Sequence, residues 1–211
     1  MLRLFLARHG QTDGALAARF CGTLDVPLNA QGEAMARALA DYYGATPWRA
    51  IVASPAERAR RTAAPVAARA GLPVSIDPRL REIEYGEWEG LLEHEIAARD
   101  AGAFAAWQAD PERLAPPGGE TARQIADRAR AAVEELRARH PDGDVLAVTH
   151  KATLRVLVCD LLGIPLRLFR ARIAAPPGSV TIVELLPEGP RLLALADVRH
   201  LPKEIQPALD G

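Results

Sequence analysis

Aromatic residues are scarce in this chain, 5% of the total against 49% hydrophobic residues overall, so its core must be built from Ala, Leu and Val. Aliphatic cores of that kind suit helices laid against a sheet. Cysteine is scarcer still. Cys21 and Cys159 are too few for a disulfide framework and have no metal-ligand spacing. Long apolar runs are missing: none approaches the ~18 residues of a membrane-spanning helix. The Met1-Leu2-Arg3 start runs into a strand pattern without a signal-peptide region, so a cytoplasmic protein is expected. An excess of either charge is lacking too, because 26 Lys plus Arg and 27 Asp plus Glu leave a net charge of -1. That excludes bulk attraction to nucleic acid or to an anionic membrane; any anion must be held locally by placed arginines. No internal repeat or low-complexity segment stands out.

What is present is a series of short apolar runs separated by helical patterns, in a chain of 211 residues, long enough for one large α/β domain and too short for two. Leu4-Phe5-Leu6-Ala7 reads as a strand covered on both faces, and Ala50-Ile51-Val52-Ala53, Val74-Ser75-Ile76 and Val145-Leu146-Ala147-Val148-Thr149 read as further strands, the last of them central. Ala30 to Tyr43 reads as a helix with Asn29 as N-cap, Met35, Leu39 and Tyr42 on one face, and Gly44 at its end. Ala56 to Ala70 follows, with Ser54 as its cap and Pro55 in the first turn. Further helices are expected over Glu120 to His140 and about Ala152 to Leu162, the latter stopped by Gly163 and Pro165. Val180 to Leu186 and Leu192 to Ala196 form an edge hairpin. Residues 91 to 118 carry mixed signals and are expected to cover the end of the sheet. The expected fold is an α/β three-layer sandwich over residues 1 to 211: a mostly parallel central sheet, helices on both faces and a small covering subregion.

Chemistry collects where the strands stop. The first ends on Arg8-His9-Gly10 and the fourth on Thr149-His150, while the second leads into a helix with Arg58 in its first turn. The carboxyl ends of parallel strands form the ligand crevice of open α/β sheets. Arginine near a helix N-terminus opposes the helix dipole, so Arg58 calls for a reason other than helix stability. If the strands are neighbours, two guanidiniums and two imidazoles converge on one crevice, an oxyanion cage that fits a phosphoryl group.

Further motifs follow in order: Thr12; Asp25, Pro27-Leu28 and Gly32; Ser54-Pro55 with Arg58 and Thr62; Leu80 with Glu82, Gly86 and Trp88-Glu89-Gly90; Pro117 with Gly119-Glu120; and Thr149-His150. This ordered set resembles the histidine phosphatase superfamily in its phosphoglycerate-mutase-like branch. The match runs from the N-terminus to about residue 150, and more loosely through Gly178-Ser179-Val180 and Asp197 with His200-Leu201. The resemblance implies that His9, neutral and oriented by a backbone carbonyl at its other ring nitrogen, attacks phosphorus and becomes phosphohistidine. Arg8, Arg58 and a protonated His150 would hold the equatorial oxygens. Glu82, selected by the Leu-x-Glu spacing over Glu84, Glu87 and Glu89, would protonate the leaving alcohol and then deprotonate water. No metal and no cofactor are implied.

Three positions depart from the pattern. Ala15, preceded by Gly14, stands where mutases of the family carry Asn. Cys21-Gly22 replaces Thr-Gly or Gln-Gly, which weakens a side-chain contact while leaving the Gly22 backbone N–H available. Lys151 replaces the usual Gly after the second His. A lysine at a helix N-terminus is electrostatically misplaced unless an anion lies beside it, so Lys151 is expected to hold a substrate carboxylate or second phosphate, with solvent exposure as the alternative. Thr12, Cys21, Gly22 and Lys151 are therefore the candidate substrate-binding residues. Substrate choice is expected to lie with these, with residues 91 to 118, including His94 and Trp107, and with Arg199 and His200. The leading function is hydrolysis of a small phosphomonoester. A cofactor-dependent phosphoglycerate mutase is the alternative, disfavoured by Ala15 and the modest covering segment, and a silent phospho-ligand sensor is the alternative of another class. The partner expected is a small phosphorylated metabolite, with no nucleic acid or membrane, and a homodimer is the base-rate state.

Overall fold

A computed structural model describes residues 1–13 and 19–207. The apolar runs form one six-stranded sheet from β1 (Leu2–Arg8), β2 (Trp48–Ala53), β3 (Val74–Ile76), β4 (Gly143–Thr149), β5 (Val180–Leu186) and β6 (Gly189–Asp197), in the spatial order β3-β2-β4-β1-β5-β6. The first four positions are parallel, and β5 and β6 extend the sheet antiparallel as the expected edge hairpin. Register matters most at the centre. Leu2 faces Gly143 and Arg8 faces Thr149, so the residues that follow, His9 and His150, leave the sheet side by side.

Seven α-helices lie within the described residues: α1 (Ala30–Tyr43), α2 (Glu57–Ala70), α3 (Glu93–Arg99), α4 (Ala101–Ala109), α5 (Ala122–Arg139), α6 (Lys151–Leu161) and α7 (Phe169–Arg172). The two-residue period of β1 sends Leu2, Leu4 and Leu6 into a core with Ile125, Leu154 and Leu157 of α5 and α6, and Phe5 and Ala7 into a second core with Leu39, Ala59 and Ala63 of α1 and α2. That is the expected three-layer sandwich. Among the described residues no helix is long and apolar enough to cross a membrane.

Two helix details differ from expectation. The inner face of α1 carries Met35, Leu39 and Tyr43, while Tyr42 is 57% exposed. Tyr43 continues the i, i+4 row from Leu39 and packs edge-on against Phe5 at 5.8 Å, which decides between adjacent tyrosines. Ser54 does not cap α2. Its N-cap is Ala56, and the carboxylate of Asp25 accepts the Glu57 N–H at 2.9 Å instead. Asn29, by contrast, caps α1 as expected, accepting the Gly32 N–H at 2.8 Å.

The covering segment collects what aromatic content the chain has. Phe20, Tyr85, Trp88, Phe104 and Trp107 are five of its ten aromatic rings, and Trp88, Phe104 and Trp107 are buried with Ile96 in a third small core. Phe20 meets Tyr85 at 4.8 Å and Trp107 at 5.7 Å, tying the loop before α1 to α4.

Candidate active site

His9 emerges from β1 with its backbone N–H on the Thr149 carbonyl at 3.0 Å and its own carbonyl accepting the Gly178 N–H at 3.1 Å. Its Nδ1 lies 2.8 Å from the Gly10 carbonyl, which can only accept, so Nδ1 carries the proton and Nε2 the lone pair. Burial, with Arg8 and Arg58 nearby, holds the imidazole pKa well below 6.5. Nε2 is thus the unprotonated ring nitrogen, the orientation that the resemblance implies for His9. Gly10 is needed for proximity rather than for its dihedral angles, since a Cβ there would fall 2.5 Å from the Gly32 carbonyl oxygen.

The His150 ring centroid lies 5.1 Å from that of His9. Arg58 Nε, which can only donate, approaches His150 Nδ1 at 3.3 Å, and His150 Nε2 donates to Ser54 Oγ at 2.7 Å. Burial together with His9, Arg58, Arg128 and Arg8 holds its pKa well below 6.5, so His150 is neutral in this structure. Ser54, expected as a helix cap, instead orients the second imidazole.

Arg58 explains its own awkward position. Its Nη1 and Nη2 donate to the Leu24 and Gly22 carbonyls at 2.7 and 3.1 Å, and Asp25 stands 3.5 Å away, so the guanidinium pins the loop to the start of α2. Arg8 Nη1 donates to the Ala175 carbonyl at 2.6 Å. The expectation for Gly22 fails. Its backbone N–H is taken by Glu89 Oε1 at 2.7 Å, which also accepts from Leu24 at 3.0 Å. Glu89 thus braces backbone, Glu84 pairs with Arg81 at 3.0 Å, and Glu87 is exposed. None of the three competes with Glu82.

Glu82 is buried and held tightly. Oε1 accepts the Ile83 and Thr153 N–H groups at 2.9 and 3.1 Å and Oε2 the Ala152 N–H at 3.1 Å, while the Thr153 hydroxyl donates to the Arg81 carbonyl at 2.6 Å. The segment that carries it is clamped by Arg128, whose guanidinium donates to the Arg79, Arg81 and Glu82 carbonyls at 2.6, 2.8 and 3.2 Å. Glu120 in turn binds Arg128 at 3.0 Å and Arg81 at 2.6 Å. This clamp was not anticipated from sequence, although Glu120 belongs to the quoted motifs.

A cavity of about 530 Å³ opens over these groups and is lined by Arg8, His9, Arg58 and Glu82, and also by Thr12, Cys21 and Lys151. His150 lies behind His9, fully buried. Gly22 is not on the wall, and neither is His94, which is exposed. Trp107 does form a wall, as expected of the covering segment, together with Glu93 and Gln108. The C-terminal pair lies elsewhere: Arg199 is bound to Asp197 at 2.7 Å, and His200 is buried 5.6 Å from the Tyr43 ring. Gly14 and Ala15 are outside the described residues. No group of three or more His, Cys, Asp or Glu among the described residues is arranged to hold a metal.

The two depressed imidazoles have a consequence for stability. Below about pH 6.5 the unfolded chain binds protons that the folded one refuses, so the stability present above that pH is lost as pH falls. Each contributes a slope of up to ~1.4 kcal/mol per pH unit. Between pH 7 and 5 the Tm of the native protein is expected to fall more steeply than that of a His9→Asn, His150→Asn double variant. Parallel Tm profiles would contradict this account of the site.

A model of the histidine phosphatase superfamily (branch 1) matches residues 4–198. The chain belongs to that superfamily. A glucosyl-3-phosphoglycerate phosphatase of Mycolicibacterium vanbaalenii is 39% identical over 170 residues, 77% of this chain and 75% of that protein. Phosphoserine phosphatase 1 of Hydrogenobacter thermophilus is 31% identical over 169 residues, 80% of each chain. The solved structure of a mycobacterial glucosyl-3-phosphoglycerate phosphatase superposes with a TM-score of 0.84 at 35% identity, covering 92% of this chain and 98% of that one.

Proposed function

We propose that this chain is a metal-independent phosphatase that hydrolyses a small phosphomonoester through a phosphohistidine on His9. The observation that carries the reading is a neutral, buried His9 with its Nε2 lone pair directed away from Gly10, sharing one cavity with the Glu82 carboxylate and the Arg8 and Arg58 guanidiniums. Nε2 attacks phosphorus as the bond to the leaving oxygen breaks, and that oxygen takes a proton from Glu82. Water then attacks the phosphohistidine, Glu82 takes its proton back, and inorganic phosphate leaves. Oε2 is the proton-carrying atom on this account, because Oε1 already accepts two backbone hydrogen bonds and Oε2 one. Arg8 and Arg58 bear the charge of the equatorial oxygens. His150, packed against His9 and accepting from Arg58 Nε, takes up a proton when a bound phosphoryl dianion raises its proton affinity.

The phosphatase names of the relatives support hydrolysis over mutase activity. The substrate is a phosphorylated metabolite bound beneath the covering residues 91 to 118, in one catalytic unit, and the setting is the cytoplasmic one expected from the sequence. Steady release of inorganic phosphate without added bisphosphoglycerate is expected, with rapid-quench trapping of label on His9. Label passed on to phosphoglycerate would make the chain a mutase, and tight binding without turnover would make it a sensor.

A further inference from the structure

The stretch that carries Glu82 has no regular structure of its own to place it. Between the short 3₁₀ turns Pro78–Leu80 and Gly86–Trp88, the backbone of residues 81–85 belongs to no helix or strand. A proton carrier must be held to within about 0.5 Å of its working position, and a misplacement of about 1 Å can cost on the order of 10²-fold in rate. Something outside the stretch has to fix it.

Side chains from three other elements do so. Four consecutive carbonyls are taken: those of Arg79, Arg81 and Glu82 by Arg128 of α5, that of Leu80 by the Thr149 hydroxyl at 2.7 Å, and that of Arg81 again by the Thr153 hydroxyl at 2.6 Å. Thr149 ends β4 and Thr153 lies in the first turn of α6, so both flank His150. All five N–H groups of Arg128 have a partner. Nη1 serves Arg79 and Arg81, Nη2 serves Glu82 and Glu120 Oε2, and Nε serves Glu120 Oε1, each carboxylate contact being 3.0 Å. Glu120 grips the same stretch further along: Oε1 accepts from Arg81 at 2.6 Å, Oε2 accepts the Glu84 N–H at 3.1 Å, and its own N–H donates to the Glu84 carbonyl at 2.9 Å. Glu82 therefore stands in the middle of a backbone fixed on both sides.

Neither Arg128 nor Glu120 lines the cavity. Their side chains are 11% and 9% exposed, and an ion pair buried that deeply is a poor source of stability, since apolar residues of similar size often serve as well. Its aim is more telling. Apart from Glu120, every acceptor of Arg128 is a carbonyl within three residues of Glu82.

We propose that Arg128, held by Glu120, is a positioning residue for proton transfer by Glu82, fixing the backbone from which the carboxylate reaches the leaving oxygen. The inference rests on the proton-carrier role of Glu82 in the phosphatase reaction and extends it to residues that do not touch substrate.

Phenyl phosphate and p-nitrophenyl phosphate share a ring and differ in how much the leaving oxygen needs a proton, so the ratio of their kcat/KM values reports on the general acid. Measured on one preparation, that ratio does not depend on the fraction folded. Arg128→Lys keeps the charge opposite Glu120 and loses the fork. It is expected to lower kcat/KM about 30-fold for phenyl phosphate and about 3-fold for p-nitrophenyl phosphate, moving the ratio roughly 10-fold in the direction that Glu82→Gln moves it. Glu120→Gln, of nearly the same size, should move it the same way by about 3-fold. Added to Glu82→Gln, the Arg128→Lys change should leave the ratio within about twofold, because the group being positioned is already gone. A ratio unmoved by both Arg128→Lys and Glu120→Gln, or one moved in full on top of Glu82→Gln, would overturn the positioning role; with Glu82→Gln alone still shifting the ratio, the phosphatase reading would stand. A ratio that Glu82→Gln leaves at the native value would remove the proton carrier and the positioning role together.

Discussion

His9→Ala is expected to lower kcat for phosphate release by roughly 10⁴-fold or more, because the variant loses the atom that forms the bond to phosphorus. The fold should survive. The substitution removes one hydrogen bond, Nδ1 to the Gly10 carbonyl at 2.8 Å, worth ~1 kcal/mol, and a small volume at the crevice edge. It also removes one of the two imidazoles that oppose folding in acid, so the variant should match or exceed the native protein in Tm at pH 5. Arg8 and Arg58 stay in place, so inorganic phosphate should still bind, by calorimetry, within about tenfold of the native affinity, a loss of roughly 1.4 kcal/mol. Residual turnover near a tenth of the native rate would mean that water, not His9, attacks phosphorus.

Glu82→Gln should separate the two half-reactions. A glutamine can present its carbonyl oxygen to Ile83 and Thr153, but its amide then meets the Ala152 N–H, which the native Oε2 accepts at 3.1 Å. One buried donor is left unpaired, a stability cost of about 1–3 kcal/mol. The catalytic effect is larger. With an alkyl phosphate, whose alkoxide leaves poorly, loss of the general acid should cost about 10²–10⁴-fold in kcat. With p-nitrophenyl phosphate the leaving group needs no proton, so His9 should still be phosphorylated quickly. Hydrolysis of the phosphohistidine, which needs Glu82 as base, should then limit the rate. A stoichiometric burst of nitrophenolate followed by slow turnover is the expected trace. Native-like turnover of the alkyl ester would remove Glu82 from the mechanism.

Much of the layout was legible beforehand for local reasons. Unalternating runs ending in Arg8-His9 and Thr149-His150 mark strands covered on both faces, and Asn29 marks a helix start through a bond reaching only three residues ahead. Failures came where a distant group took over a local task. Ser-Pro reads as a cap, yet Asp25 caps α2 from 32 residues away and releases Ser54 to His150. Gly22 reads as a donor to substrate, yet Glu89 reaches it across 67 residues. The direction in which the His150 pKa moves is likewise not legible in the neighbouring residues, because it is set by burial and by the cations gathered around the ring.

Taken by itself, the order of residues determined which segments become strands and helices, which faces are apolar, and which side chains stand where the central strands end, since those follow from periodicity and from bonds within a few residues. Only the folded chain decided which polar partner each of those side chains meets, and therefore that both imidazoles are neutral and that Arg128 grips the backbone on which Glu82 stands. Hydrogen-bond pairing and proton affinity act over a few ångströms through space, and residues that close are brought together from elements scattered along the chain.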